Sequence, residues 1–135
     1  MHIDHIGVAV SNLEDAIETW EKLLNRTCYK REVVEDQKVE TAFFETGESK
    51  VELLGATEPS SVITSYIQKR GEGLHHVAFE VDNIEAEIAR LKGEGFRLLN
   101  EVPKQGADHK RIAFLHPKSS GGVLVELCES AKDLQ

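Results

Sequence analysis

Two stretches of the chain repeat one pattern 71 residues apart, and this repeat limits the fold more than any other feature. The stretch 5–14 aligns without a gap with the stretch 76–85. Each stretch begins with alternating apolar residues, which is typical of a strand with one buried face, and then continues into the start of a helix. The repeat predicts that one small structural unit occurs twice in this chain.

The predicted helix starts are also alike. Ser11 followed by Glu14 has the spacing of a capping box, in which an N-cap side chain and an acid three residues later satisfy free backbone N–H groups. Asp82 followed by Glu85 offers the same arrangement in the second copy. Apolar residues recur at helical spacing after both starts, so we predict a strand followed by a helix in each half.

Three more strands are predicted in each half, separated by polar or glycine-containing turns. They are, in chain order, 29–35, 39–45 and 50–54, then 97–102, 110–116 and 123–128.

A helical pattern at 60–70, ended by the Gly-rich stretch 71–73, joins the two halves. We therefore predict an α+β fold with two paired βαβββ modules, at about 1–57 and 72–130. The two modules are expected to form an open, cup-shaped mixed sheet with helices on the outside, as a single domain over 1–135.

Composition excludes several classes of protein. The 135 residues fit one domain of ordinary size, and 16 Lys and Arg against 24 Asp and Glu give a net charge of −8, which disfavours nucleic acid as a partner. No apolar run approaches the roughly 18 to 20 residues of a membrane span, and the amino end lacks the pattern of a signal peptide. Cys28 and Cys128 are too few for a disulfide framework, so we expect free thiols in a cytoplasmic protein without membrane contact.

Strand periodicity places two histidines and two glutamates on faces opposite the bulky apolar residues. His5 and His76 share their strand faces with small residues, which leaves room for a cavity. Glu52 and Glu126, in matching closing strands, also point away from core-like neighbours. Imidazole and carboxylate groups suit a divalent ion such as Co, Mn, Zn, Ni or Fe, so these four residues are the predicted metal ligands. The alternative is that the repeat preserves these positions for packing alone.

The other histidines have no such match. His75 has the wrong parity for the predicted face, and His2, His109 and His116 have no counterpart in the other half. We expect these residues at the surface or at an edge, with His109 and His116 as possible substrate contacts.

A local basic stretch at 104–118 stands out in this acidic chain. It contains Lys110, Arg111 and Lys118, which are candidates for binding the phosphates of a substrate. A solvated basic loop is the equally good alternative.

Four segments resemble the vicinal oxygen chelate superfamily, and within it the methylmalonyl-CoA epimerases. They are 4–10, 50–54, 71–81 and 114–127, and the likeness spans nearly the whole chain. The resemblance implies paired βαβββ modules around a divalent metal ion with two positions open for substrate. It also implies that His5, His76 and Glu126 are ligands, with Glu52 at a position where relatives hold Gln or Glu.

The resemblance implies a reaction as well. This is the interconversion of (R)- and (S)-methylmalonyl-CoA by transfer of the proton beside the thioester, through an enolate that the metal stabilises. Glu52 and Glu126 are then the candidate acid–base pair. Some family members use a separate glutamate on the third strand, where this chain has Glu40 and Thr41, and a one-residue shift in register would decide which of the two faces the site.

Relatives of this type are commonly homodimers, so we expect a homodimer that takes a small-molecule acyl-CoA substrate. Two alternatives remain open. One is another metal enzyme of the same superfamily, such as a lactoylglutathione lyase, and the other is a non-catalytic small-molecule binding protein of the same fold.

Overall fold

The computed structural model of the chain describes residues 1–131, which form eight strands and three α-helices. In chain order these elements are β1 His2–Ala9, α1 Leu13–Leu24, β2 Lys30–Val34, β3 Val39–Thr46, β4 Ser49–Ala56, α2 Val62–Arg70, β5 Gly73–Glu80, α3 Ile84–Gly93, β6 Lys104–Gln105, β7 Arg111–Leu115 and β8 Val125–Glu129.

The described chain forms two compact units. Among the described residues, the first unit comprises 5–75 and the second comprises 1–4 together with 76–131. Strand β1 thus contributes its first residues to the second unit and the rest to the first, while α2 belongs to the first unit. The assignment of the whole chain to one domain stays a prediction.

In the first unit the strand order is β2-β3-β4-β1. Strand β1 is parallel to β4, whereas β3 is antiparallel to both β2 and β4. The second unit has the matching order β6-β7-β8-β5, again with one parallel pair, β5 with β8. The predicted α+β class, the mixed strand pairing and the two βαβββ modules are therefore confirmed.

One face of the first unit's sheet packs against α1. Buried Val8, Val51 and Leu53 meet the apolar stripe of the helix, which includes Ile17 and Trp20. Burying a side chain of this size contributes roughly 1.5–3 kcal/mol relative to exposure, so this face supplies much of the unit's stability. Val8, Val51 and Leu53 are the bulky strand residues that lie opposite His5 and Glu52, so the predicted division of these strands into a core face and an opposite face is confirmed.

The opposite face of the same sheet is covered at one end by α2. Its Ile63 is 1% exposed and packs against Ala9, Val39 and Leu54. Ser61 caps this helix by accepting a hydrogen bond from the Ile63 N–H at 3.1 Å. The predicted helix between the modules is confirmed, and it fills one end of the face that also carries Glu52.

In the second unit α3 packs against its own sheet. Ile84, Ile88 and Leu91 of the helix join Leu115 and Leu127 of the strands in one buried cluster. The amino end of α3 is fixed by buried Glu129, whose Oε2 accepts a hydrogen bond from the Ile84 N–H at 2.7 Å.

The predicted helix caps are displaced by one residue. Asn12 caps α1 by accepting from the Asp15 N–H at 3.1 Å, and Asn83 caps α3 by accepting from the Ala86 N–H at 3.0 Å. Ser11 instead donates its backbone N–H to Glu72 at 2.7 Å. The prediction of Ser11 and Asp82 as caps was wrong because the asparagine that follows each has the extended backbone and the side-chain reach that an N-cap needs.

The strand predicted at 97–102 is also wrong. This segment makes only an isolated bridge at Leu98, and the edge strand proper is the short β6. The side chain of Asn100 replaces backbone hydrogen bonds to β7. Its carboxamide accepts from the Phe114 N–H at 2.9 Å and donates to the Ile112 carbonyl at 3.2 Å. Because the carboxamide satisfies backbone groups of β7, no regular ladder forms there.

None of the helices in the described part of the chain has the length and apolar character of a membrane span.

Candidate active site

The first unit holds a buried histidine–glutamate pair on the sheet face that does not carry α1. His5 lies on β1, and Glu52 lies on the parallel strand β4. The register partner of Glu52 on β1 is Gly7. His5 Nδ1 lies 3.1 Å from Glu52 Oε2, and each side chain is 6% exposed.

The second unit holds the matching pair. His76 lies on β5, and Glu126 lies on the parallel strand β8. The register partner of Glu126 on β5 is Ala78. His76 Nε2 lies 3.7 Å from Glu126 Oε1, and the two side chains are 6% and 7% exposed. The repeat seen in the sequence therefore places one His–Glu pair at the same position of each module.

Both pairs have the chemistry of metal ligands. The ligand atoms within each pair lie less than 4.8 Å apart. Carboxylates are rarely buried without a positive partner, because loss of hydration penalises the charged form. A divalent ion bound by neutral imidazole nitrogen and carboxylate oxygen supplies such a partner, so the donor set fits a mid-row metal.

A phenylalanine accompanies each glutamate, a feature that the strand predictions missed. Phe43 on β3 is the register partner of Glu52, and Phe114 on β7 is the register partner of Glu126. The sequence does contain the signal, since Ala42-Phe43 recurs as Ala113-Phe114 with the same 71-residue shift as the histidines.

The register of β3 places Thr41 on the same face as Glu52. Phe43 pairs with Glu52 and Thr41 pairs with Leu54, so side chains at 41 and 43 share that face and Glu40 lies on the other. Glu40 Oε2 accepts a hydrogen bond from Arg31 Nε at 2.8 Å. Thr41 is 2% exposed and carries no ionisable group. The carboxylate that β3 does place on the face of Glu52 is that of Glu45, which is exposed at the other end of the strand and is the register partner of Lys50.

The candidate phosphate contacts have different environments. Lys110 is buried in the second unit, with Nζ 2.6 Å from Asp4 Oδ1 and 3.8 Å from Glu80 Oε1. Glu80 also contacts His2 at 3.3 Å and accepts from the Ser130 hydroxyl. Lys110 therefore belongs to an internal ion-pair network that the sequence did not predict, because its members are far apart along the chain.

Arg111 and Lys118 lie nearer the surface. Arg111 is ion-paired with Glu85 and Glu129, and these acids raise the pKa of its guanidinium. Lys118 is exposed in a short 3₁₀ turn at Pro117–Ser120. Within the described residues, the Lys118 ammonium has no ion-pair partner, so of the three it is the cation most available to a phosphate.

The remaining histidines have structural roles or lie at the surface. His75 packs edge-on against Tyr66 at 4.7 Å between ring centroids, and burial lowers its pKa to about 4. His116 caps the 3₁₀ turn by accepting the Lys118 N–H at Nδ1, while His109 is exposed.

Both thiols are free, as predicted. Burial raises the pKa of the Cys128 thiol, which keeps it protonated.

Comparison with known proteins places this geometry in a family. Residues 4–114 match the model of the Glyoxalase/Bleomycin resistance protein/Dioxygenase superfamily. The mitochondrial methylmalonyl-CoA epimerase of Mus musculus is 40% identical over 93% of this chain and 71% of that protein. The ethylmalonyl-CoA/methylmalonyl-CoA epimerase of Cereibacter sphaeroides is 35% identical over 93% of this chain and 95% of that protein.

A solved methylmalonyl-CoA epimerase in complex with methylmalonyl-CoA and NH4+ matches with a TM-score of 0.91 and 36% identity, over 96% of this chain and 94% of that one. These relatives agree with the chain in sequence, and the solved structure agrees with it in fold. The chain therefore belongs to the Glyoxalase/Bleomycin resistance protein/Dioxygenase superfamily, and within it to the family of methylmalonyl-CoA epimerases.

Proposed function

We propose that the protein is an isomerase that interconverts (R)- and (S)-methylmalonyl-CoA by moving the proton at C2 of the malonyl group. The observation that carries this proposal is the buried His–Glu pair that occurs once in each unit, at matching positions of the repeat. The names of the relatives agree with it, since the mouse protein is a methylmalonyl-CoA epimerase and the solved relative binds methylmalonyl-CoA.

Enzymes of this superfamily generally use a divalent metal ion. We propose that His5, Glu52, His76 and Glu126 would hold that ion here, and that the substrate would meet it through its carboxylate and thioester oxygens. When bound, the ion supplies the Lewis acidity that stabilises negative charge on the thioester oxygen. The choice among Co, Mn, Zn, Ni and Fe is not fixed by a donor set of two imidazoles and two carboxylates.

The proton transfer is assigned to the same two carboxylates. Inversion at C2 requires that the proton leave one face of the planar enolate and return on the other. Glu52 and Glu126 come from different modules and are both buried, whereas on β3 Glu40 lies on the opposite face and Glu45 is exposed. One carboxylate therefore accepts the proton from one epimer, while the other donates a proton to give the opposite epimer.

The CoA portion of the substrate needs a contact for its phosphates. We assign this contact to Lys118, because its ammonium is exposed whereas Lys110 is buried against Asp4. Lys118→Gln should raise KM for methylmalonyl-CoA and leave KM for the truncated substrate methylmalonyl-pantetheine unchanged. Equal effects on both substrates would remove Lys118 from this role.

The reaction itself is tested by isotope exchange. Protein loaded with Co, Mn, Zn or Ni is incubated with (S)-methylmalonyl-CoA in deuterated water, and deuterium at C2 is followed by mass spectrometry as the epimers equilibrate. Absence of exchange with every metal would overturn the proposal. The hemithioacetal of methylglyoxal and glutathione, added to the same samples, tests the lactoylglutathione lyase alternative.

The roles of the glutamates are separated by Glu52→Gln and Glu126→Gln, with metal content measured beside exchange. A variant that keeps its metal but loses exchange has lost a proton-transfer group, and one that loses its metal has lost a ligand. Glu40→Gln is the matched control, because Glu40 lies on the opposite face of the adjacent strand, paired with Arg31. We expect this control to retain both metal and exchange.

We also propose that the enzyme is a homodimer, as the resemblance implies, and that it lies in the cytoplasm, as its two free thiols favour. Light scattering after size exclusion checks the dimer, since one chain has a mass of 15.1 kDa.

A further inference from the structure

Phe114 is the aromatic side chain closest in register to the second His–Glu pair. It is the partner of Glu126 across β7 and β8, and its ring meets the His76 ring edge-on, with centroids 6.0 Å apart and planes at 85°. Phe114 also packs against the buried cluster of Ala78, Ile112 and Cys128. An apolar wall therefore stands directly beside the proposed ligands of the second unit.

The equivalent phenylalanine of the first unit is closed off. Phe43 is 0% exposed, with the Lys30 ammonium 5.0 Å from its ring centroid and the Tyr29 ring 6.0 Å away. Phe114 is partly exposed. The repeat thus preserves two phenylalanines, but only the second offers ring surface to a ligand.

The reacting end of the proposed substrate carries one group that polar side chains cannot bind favourably, the alkyl substituent at C2. The carboxylate and thioester oxygens are polar, whereas the alkyl substituent at C2 is apolar and is best placed against an apolar surface. When C2 loses its proton it becomes planar, and both epimers give the same planar species. A single wall can therefore serve the alkyl group in both directions of the reaction.

We infer that Phe114 contacts the C2 alkyl group of the acyl-CoA substrate and sets the size of alkyl group that the enzyme accepts. This inference rests on the proposed epimerase function and deepens it by naming a specificity-determining residue. The Cereibacter sphaeroides relative is named for both ethylmalonyl-CoA and methylmalonyl-CoA, so alkyl size varies among the substrates of this family.

The test compares Phe114→Ala, Phe114→Leu and Phe114→Trp on methylmalonyl-CoA, ethylmalonyl-CoA and butylmalonyl-CoA, with kcat/KM taken from C2 deuterium exchange. One methylene in an apolar pocket changes discrimination by roughly 10- to 200-fold. The alanine variant should raise the ratio of butylmalonyl to methylmalonyl kcat/KM about tenfold or more, the leucine variant should raise it less, and the tryptophan variant should lower it.

This ratio of kcat/KM values distinguishes a Phe114 that contacts the substrate from one that only holds His76 in position. If Phe114 only held His76 in place, its loss would lower exchange equally for all three substrates and leave the ratio unchanged. Phe96→Leu is the matched control, because Phe96 is also partly exposed but packs on the α3 side of the same unit. Its ratio should equal that of the wild type.

Ratios within twofold of the wild type in both Phe114→Leu and Phe114→Trp would overturn the inference, even if the alanine variant did not fold. Wild-type protein that exchanges no C2 proton from any of these substrates would instead overturn the proposed function, so the two failures are distinguishable.

Discussion

Lys110→Met is expected to destabilise the protein strongly, although the sequence alone suggested a solvent-facing cation. The Lys110 side chain is 9% exposed and that of Asp4 is 6% exposed, with Nζ and Oδ1 2.6 Å apart. Removing one partner of a buried ion pair leaves a desolvated charge and typically costs about 3–5 kcal/mol. Glu80, 3.8 Å from the same ammonium, would lose a counter-charge as well.

The magnitude is measurable by urea unfolding, followed by far-UV circular dichroism in the presence of EDTA so that metal binding does not contribute. With an m-value of about 2 kcal/mol/M, a loss of about 4 kcal/mol lowers the midpoint by about 2 M. The double variant Asp4→Asn with Lys110→Met should recover most of that loss, because it removes the unpaired carboxylate along with the cation.

Lys22→Met is the control for this experiment. Lys22 and Glu18 also form an ion pair, at 3.2 Å, but their side chains are 77% and 70% exposed. Exposed pairs contribute about 0–1 kcal/mol, so this variant should barely move the midpoint. The reasoning is refuted if Lys110→Met and Lys22→Met have equal midpoints, or if the double variant is no more stable than Lys110→Met.

Two further substitutions test local structure. Asn12→Ala should lower the free energy of unfolding, measured in urea, by about 1 kcal/mol because it removes the α1 cap. Ser11→Ala should change it by less than about 0.5 kcal/mol. If Ser11→Ala were the more destabilising of the two, Ser11 would be the cap. Gly106→Ala should cost about 1–3 kcal/mol, because its Cβ would lie 2.8 Å from the Cδ1 atom of buried Ile112. Gly93→Ala, which meets nothing within 4 Å, should instead be neutral or gain up to about 1 kcal/mol in the same assay.

Periodicity was sufficient to predict both His–Glu pairs. A strand alternates its faces with a period of two, so Val51 and Leu53 in the core require Glu52 on the other face, and the structure agrees. The same argument applied to His5 and His76. Because the sequence repeats, the predicted strand faces in one half support those predicted in the other. The proposed ligand set could therefore be predicted without knowing how the strands pair.

Register was beyond the reach of the sequence. Whether Glu40 or Thr41 shares the face of Glu52 depends on a one-residue shift, and only the pairing of β3 with β4 shows that Thr41 does. Asn100 is a similar case, since its carboxamide takes the place of backbone hydrogen bonds in a segment with strand-like composition. Side-chain hydrogen bonds of this kind leave no periodic signal.

The sequence by itself determined the repeated βαβββ order, the faces of the strands and the residue types that suit a metal ion, because these follow from short-range geometry that repeats along the chain. Only the tertiary structure decided which charged side chains are buried in ion pairs and which are exposed. Lys110 and Lys118 lie in the same basic stretch, yet one is buried against Asp4, 106 residues away along the chain, and the other remains exposed. Burial and charge pairing between distant residues depend on packing in three dimensions, which no local pattern encodes.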